Sequence, residues 1–409
     1  MRTSFTLAQL ADPQLAECEK ILRSCVHCGF CTATCPTYVL GGDERDSPRG
    51  RIYLIKDMIE NDRPASTEVV THIDRCLSCL ACMTTCPSGV HYMHLVDYAR
   101  ARIERSYRRS LGERLTRAAL AWLLPQNERL RWALRLARPL RPLAPLLGAI
   151  GAKPAAEMLR LAPRRVPEKV ALGDGQVYRA AGERKGRVAL MVGCVTPVIA
   201  PSILRAAIGV LTRHGIEVVL PKGQGCCGSI AHHLGREEEA QAAARRNVTA
   251  WSAELAMQGL DAILVTASGC GTTVKDYGFM LRTDSRFAQT GARVAAQAMD
   301  ICEYLTRVAL PIEAPTKPLI IAYHAACSLQ HGQKITRAPK ELLSRTGFVV
   351  KDIPEGHLCC GSAGTYNILQ SNIAKMLRAR KVSYIEKLEP DVVAAGNVGC
   401  ITQIAAGTA

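Results

Sequence analysis

Two stretches of the sequence repeat one spacing of thiols, CVHCGFCTATCP at residues 25–36 and CLSCLACMTTCP at 76–87. Both read CxxCxxCxxxCP, in which three thiolates wrap one face of an iron-sulfur cubane and the fourth reaches the partner cluster. On that pattern Cys25, Cys28, Cys31 and Cys86 hold one 4Fe-4S cluster, and Cys76, Cys79, Cys82 and Cys35 hold the other. Gly29, Ala33 and Ala81 leave room for backbone amides to approach the sulfurs, a lever on potential, and Pro36 and Pro87 end the loops. A single CxxC would leave zinc open, but two complete four-cysteine runs argue against it. Two clusters in one small domain imply electron transfer. The chain has no P-loop and no HExxH, and no site for nicotinamide, flavin or nucleotide is expected in it.

A second thiol pattern follows. GQGCCGSIA at 223–231 and HLCCGSAGT at 357–365 each set two adjacent cysteines before a glycine. Adjacent thiols make a poor disulfide, because S–S geometry needs Cα atoms further apart than one peptide step. They can instead reach one metal centre where the next residue, Gly228 or Gly361, lets the backbone turn sharply. Cys194 precedes Cys226 by 32 residues and Cys327 precedes Cys359 by 32, which marks an internal duplication. Each half can therefore gather four thiols as a metal site: Cys194, Cys226, Cys227 and Cys270 in one, Cys327, Cys359, Cys360 and Cys400 in the other. A further iron-sulfur site, structural zinc and a metal-free fold all fit this spacing. His27, His91, His232, His233, His324, His331 and His357 stand near cysteines, and His324 and His357 are the best placed to hold a metal or shuttle a proton. Cys18 and Cys302 fall outside every pattern, and buried packing is expected for them.

The elements that must position these residues are legible in outline. Nine cysteines lie before residue 90, none between 87 and 193, and nine follow. The first zone reads as short helices around two cysteine loops, with a helix over 47–61 started by Ser47 and Pro48. Basic amphipathic helices follow over 97–123 and 126–138, separated by Pro125, and a linker rich in Pro, Arg and Gly runs to about 186. Beyond it, RVALMVGC, IEVVLPKGQGCC and DAILVTASGC form one set of strands, and LIIAYHAAC, FVVKDIPEGHLCC and DVVAAGNVGC a second. Continuous apolar runs with helices between them indicate parallel sheets covered on both faces, with ligands at the carboxyl ends of the strands. The expected fold is α+β overall: a mostly helical two-cluster ferredoxin-like domain (1–96), the basic helices and linker (97–186), and a duplicated α/β region (187–310 and 311–409).

The chain has 409 residues, 48% of them apolar, and a formal charge of +16. Each cubane with its four thiolates subtracts about two charges, so the apo value overstates the basicity. Between Arg100 and Pro142 stand twelve arginines, three glutamates and no lysine, with Trp122 and Trp132 among apolar residues. That pattern suits docking to a partner or to the bilayer interface. With 5% aromatic residues and no recognition module, nucleic-acid binding is not expected. No run reaches the 18 or so apolar residues of a membrane span. The opening residues lack the regions of a signal peptide, and clustered cysteines in a long chain point to a reducing cytosol.

RSCVHCGFCTATCPTY, DSPRGRIYLIK, DRCLSCLACMTTCPSGV, TASGCGTTVKDYG and HLCCGSAGTYNILQ together resemble the iron-sulfur subunits of bacterial glycolate oxidase (glycolate dehydrogenase), from about residue 20 to the end. The layout, a ferredoxin-type domain plus two cysteine-rich CCG domains, is shared with lactate-utilisation proteins, a small subunit of anaerobic glycerol-3-phosphate dehydrogenase, and heterodisulfide reductase. The resemblance implies a complex in which flavoprotein partners, the only FAD carriers, oxidise glycolate to glyoxylate. This subunit would then pass electrons toward a membrane acceptor such as quinone, from the cytoplasm or the inner face of the cytoplasmic membrane. The alternatives it implies are electron transfer for a lactate or glycerol-3-phosphate dehydrogenase, or heterodisulfide-type chemistry at the CCG sites. Against the five-thiol noncubane site of heterodisulfide reductase, Thr273 and Gln403 stand where the last cysteine of each half would be. The ending ITQIAAGTA also comes where another helix and strand would be expected.

Overall fold

In a computed structural model, which describes residues 1–308 and 318–408, the first part of the chain is built from helices with clear start signals. Asp12 caps Pro13–Ser24, Ser47 caps Pro48–Glu60 through its Oγ and the Gly50 amide, and Ser66 caps Thr67–Asp74. With Tyr92–Ser106 these helices bury Ile21, Leu22, Ile55, Ile59, Ile73, Leu95, Val96 and Ile103 in one core, on which Cys25, Cys76 and Cys82 also lie. The cysteine loops are thus anchored on a rigid apolar base.

The basic region departs from expectation. In place of one helix over 97–123 there are two, Tyr92–Ser106 and Leu111–Leu123, because Tyr107 turns extended and Ser110 caps a new start on the Glu113 amide. The next helix, Asn127–Leu140, carries Pro139 in its last turn. The segment read as linker holds helices Ala144–Ala149 and Lys153–Leu161, with Pro145 and Pro154 in their first turns. There a proline lacks only an N–H that would have had no partner, so it starts a helix rather than stopping one. Much of the arginine excess also turns inward. Arg109 and Arg117 pair with Asp74, and buried Arg131 donates to the carbonyls of Pro167 and Pro197.

Two sheets follow. Strands β1 (Val177–Tyr178), β2 (Gly186–Leu190), β3 (Ile216–Val219), β4 (Ala262–Val265) and β5 (Ala298–Asp300) form the first, in the order β1-β3-β2-β4-β5, parallel except for β1. Strands β6 (Ile320–His324), β7 (Val349–Asp352) and β8 (Val392–Ala395) form the second, in the order β7-β6-β8, all parallel. The β3-β2-β4 and β7-β6-β8 triplets have one topology, and all six strands expected from the sequence are present. The two- and three-residue strands β1 and β5 are too short to carry a pattern of their own. The expected boundary at 310/311 lies outside the described residues. The final helix is Val398–Thr408.

Candidate metal centres

The cysteine loops share a backbone as well as a spacing. His27 and Gly29 in the first loop have φ of 58° and 88°, and Ser78 and Leu80 in the second have 50° and 65°. These are the residues on either side of the second cysteine of each motif. Outside glycine, the left-handed region costs about 1–2 kcal/mol per residue, so His27, Ser78 and Leu80 are strained and held by the fold around them. A Cβ at Gly29 would sit 2.5 Å from Nη1 of Arg49, a flexible side-chain end that can move aside, so the positive φ is what calls for glycine there.

Cys25, Cys28, Cys31 and Cys86 line one cavity of about 30 Å³, with Cys82 also on its wall. Cys35, Cys76, Cys79 and Cys82 line another of about 20 Å³. The structure so brings together the two sets of four that the spacing assigned. No carboxylate lines either cavity, and one arginine faces each, Arg49 the first and Arg51 the second. All-sulfur donors with a cation beside them fit a 4Fe-4S group of net negative charge.

Arg51 is 1% exposed and was not singled out from the sequence. Its Nε donates to the His72 carbonyl at 2.7 Å, Nη2 to Thr37 Oγ1 at 3.0 Å and to Asp46 Oδ1 at 3.3 Å, and Nη1 to Cys35 Sγ at 3.7 Å. Tyr92 Oη and the Ser78 amide both donate to Cys76 Sγ, at 3.8 and 3.4 Å. Arg51 and Tyr92 are invisible in the motif because they come from helices folded over the loop, whereas the Ser78 amide belongs to the loop itself. Burial pushes the Cys79 and Cys82 thiols well above their ordinary range and Cys31 up to about 11, so metal must displace protons to bind there.

The double-cysteine halves repeat one geometry. Gly228 and Gly361 both have φ of 90°, and a Cβ would lie 2.8 Å from the Ala240 carbonyl oxygen or 2.6 Å from that of Ala374. Their amides donate to Cys226 Sγ at 3.5 Å and Cys359 Sγ at 3.4 Å. The turn leaves adjacent thiols in a chain of contacts. Cys194, Cys226, Cys227 and Cys270 are hydrogen-bonded in sequence, and so are Cys327, Cys359, Cys360 and Cys400, with Cys327 Sγ 3.8 Å from Cys359 Sγ. Hydrogen bonds from Cys194 and Cys227 hold the Cys226 thiol well below its usual range.

Thr273 and Gln403 supply nothing to these chains. Thr273 Oγ1 donates to the Gly269 carbonyl, while Gln403 Nε2 donates to that of Ala374 and its Oε1 accepts from Asn367. Among the histidines, His27 is exposed, His94 bonds Asp276 at 2.9 Å beneath His91, and His232 bonds Asp97 at 3.1 Å. His233 is half-buried next to His232, and His331 joins Thr84 to the His357 carbonyl. His324 differs from all of them. It is 1% exposed, both ring nitrogens lack a partner, and burial beside Lys381 lowers it to about 3, which keeps the imidazole neutral. Cys18 lies in the helical core with its thiol pushed up to about 12 by burial, whereas Cys302 is partly exposed at a helix start capped by Asp300. GQGCCG at 223–228 also spells GxGxxG after β3, but the helix it opens, Ser229–His233, has five residues, and its central positions are buried thiols.

The centres are joined. Leu77 and Cys79 pack against Cys359 and Tyr366, Tyr366 Oη donates to the Arg75 carbonyl at 3.0 Å, and Thr84 bonds His331 at 2.7 Å, so the second cysteine loop docks on the rim of the second half. The two rims meet through Ser268, whose Oγ lies 2.7 Å from Ser328 Oγ and accepts from Asn397 Nδ2. Between them opens a cavity of about 1110 Å³, walled by thiols of both halves, by Leu120, Leu130, Leu134, Leu136 and Leu140 of the basic helices and by Met158 of the helix Lys153–Leu161. Leu136 and Leu140 are also exposed at the surface, as are Trp122 and Trp132, which lie under Arg129 and Arg135. Among the described residues no helix is long and apolar enough to cross a membrane.

A family model described as a 4Fe-4S dicluster domain matches residues 24–90, both cysteine loops. One described as a cysteine-rich domain matches 188–275 and again 321–405, one match on each sheet. The glycolate oxidase iron-sulfur subunit of Escherichia coli (strain K12) is 39% identical over 405 residues, spanning 99% of this chain and 95% of its own length. The chain belongs to the glycolate oxidase iron-sulfur subunit family. A probable glycolate oxidase iron-sulfur subunit of Bacillus subtilis (strain 168) is 30% identical across 94% of this chain and 89% of its own. A lactate utilization protein A 2 of Bacillus cereus is 27% identical but spans only 53% of this chain, with 89% of its own length covered. Family and fold agree: a ferredoxin-type dicluster domain and two α/β cysteine-rich domains, in a chain that carries iron-sulfur clusters.

Proposed function

We propose that this chain is the electron-transfer subunit of a complex whose flavin-containing partner subunits oxidise glycolate to glyoxylate, and that it passes the electrons toward a membrane acceptor of the quinone class. FAD belongs to those partners in this reading. The observation that carries it is the unbroken run of thiols. Cys28 is exposed, Cys82 stands on the wall of both ferredoxin cavities, and Cys79 packs on Cys359 at the rim of the second half.

Glycolate gives up two electrons and two protons to become glyoxylate, whereas 4Fe-4S groups, when bound, take and give one electron at a time. The eight ferredoxin cysteines would hold the two cubanes in the sets given above, and the double-cysteine halves would hold further metal. The residues around them do the tuning. Arg49 and Arg51 place positive charge beside the two cavities, Tyr92 and the Ser78 amide donate to a ligand sulfur, and the apolar core keeps water away.

The division into 1–96, 97–186, 187–310 and 311–409 then separates the tasks of electron entry, surface docking and electron exit. The apolar cavity between the rims, open beside Leu136 and Leu140, supports an apolar acceptor reached from the cytoplasmic face of the membrane. A complex carrying Cys79→Ser tests the reading. Glycolate should still bleach the partner's flavin while reduction of a short-chain quinone falls at least tenfold; quinone reduction at the wild-type rate would refute it.

A further inference from the structure

The second double-cysteine half contains a donor that the first lacks. β6 ends at His324, three residues before Cys327, and the same offset before Cys194 brings Met191, just past β2. Met191 is 2% exposed and packs in an apolar core with Cys227. His324 is as deeply buried, yet neither ring nitrogen has a partner, and a buried polar atom left unpaired is unfavourable. One ring nitrogen of His324 and the sulfurs of Cys360 and Cys400 all lie within 4.8 Å of one another. A shared metal would supply the missing partner.

We infer that His324 is a ligand of the metal centre of the second half, which is held by a mixed set of one imidazole and the thiols of Cys327, Cys359, Cys360 and Cys400. The inference rests on the proposed reading that the double-cysteine halves bind metal. The number and placement of donors choose the metal. Structural zinc is almost always four-coordinate, with all its donors around one point. Here there are five, and they are strung out: Cys327 meets Cys359, Cys359 adjoins Cys360, and only Cys360 and Cys400 close on His324. Such a string spans more than one ion and fits an iron-sulfur centre with one histidine ligand. The fifth donor therefore comes from the end of a strand, while Gln403, in the position of the fifth thiol, is hydrogen-bonded elsewhere. A histidine in place of a thiolate raises the potential of an iron-sulfur centre. The second half, which receives Cys79 of the ferredoxin loop, then becomes the more oxidising end of the chain.

The test uses the full chain purified without oxygen. Iron should exceed the roughly eight atoms of two cubanes, and pulsed electron resonance with 15N-histidine should detect a histidine nitrogen coupled to one centre. His324→Ala and His324→Cys should both abolish that coupling, and His357→Ala should leave it intact. In His324→Cys the extra iron should remain and the potential of its centre should fall, which keeps the test decisive if the alanine variant does not fold. Zinc in the second half, no histidine coupling in any redox state, or coupling that survives His324→Cys would overturn the inference. Iron well below eight would instead refute the two-cubane reading itself.

Discussion

Replacing Arg51 by glutamine removes a buried positive charge 3.7 Å from Cys35 Sγ. At an effective dielectric constant near 20, unit charges at that separation interact by about 4.5 kcal/mol. An electron added to a cubane is shared among its four ligand sulfurs and core, so a quarter share, about 1.1 kcal/mol, is a cautious estimate of what the charge contributes. That corresponds to about 50 mV for a one-electron couple. Arg51→Gln should therefore lower the midpoint potential of the second ferredoxin-loop cluster by about 50 mV or more, while Arg51→Lys should keep most of it. Asp46 stays paired with His72 and Arg75 in either variant, so no buried carboxylate is stranded. A redox titration followed by electron resonance, with unchanged iron content as the control for folding, reads the effect. An unshifted or raised potential in Arg51→Gln, with iron intact, would refute the assignment of Cys35 and the role of the buried guanidinium together.

Gly228→Ala and Gly361→Ala each force a side chain into the left-handed region against a backbone carbonyl, a cost of at least about 1–2 kcal/mol. Each should lower the melting temperature and deplete metal from its own half alone, as read by metal analysis of the two variants. The pair of Asp97 and His232 ties the helix Tyr92–Ser106 to the first half and makes stability depend on pH. Burial alone would raise Asp97 and lower His232; their mutual attraction wins, with Asp97 brought from 3.8 to about 2 and His232 held above 6.5. The histidine share of stability is then full below about pH 6.5 and is lost as pH rises through the raised value, whereas the Asp97 share is full above about pH 4 and fades toward pH 2. Melting temperature should thus fall as pH rises above 6.5 in the wild type, and in Asp97→Asn, where His232 loses its anion, that fall should disappear. Trp122→Glu with Trp132→Glu should cut binding to anionic vesicles at least tenfold in a flotation assay, with the cluster spectra unchanged; undiminished binding would move the docking surface elsewhere.

How much of this was readable in the sequence follows from the range over which each feature is set. The two sets of four ferredoxin cysteines that the fold gathers around separate cavities were legible as groups because they recur at short, fixed spacing, and the duplication because Cys194 to Cys226 and Cys327 to Cys359 repeat one interval. Six strands showed as continuous apolar runs, while β5 is three residues long and fell below any pattern. The breaks in the basic region were misread, since Pro145 and Pro154 look like helix stops until their place in a first turn is known. The strained positions His27 and Ser78 carry no sequence sign, and Leu80 carries only its equivalence to Gly29 in the sister loop. Arg51, Tyr92 and the docking of Cys79 on Cys359 were out of reach altogether, because each joins segments far apart in the chain that only the folded core brings together.

The central claim is that electrons taken from glycolate reach the clusters of this chain. Electron resonance of the anaerobic complex with its flavoprotein partner, frozen within seconds of adding glycolate, tests that most directly. Signals of reduced 4Fe-4S clusters should appear with glycolate at nearly the intensity that dithionite produces, and remain weak with lactate or glycerol 3-phosphate. Clusters that dithionite reduces but glycolate leaves oxidised would contradict the account.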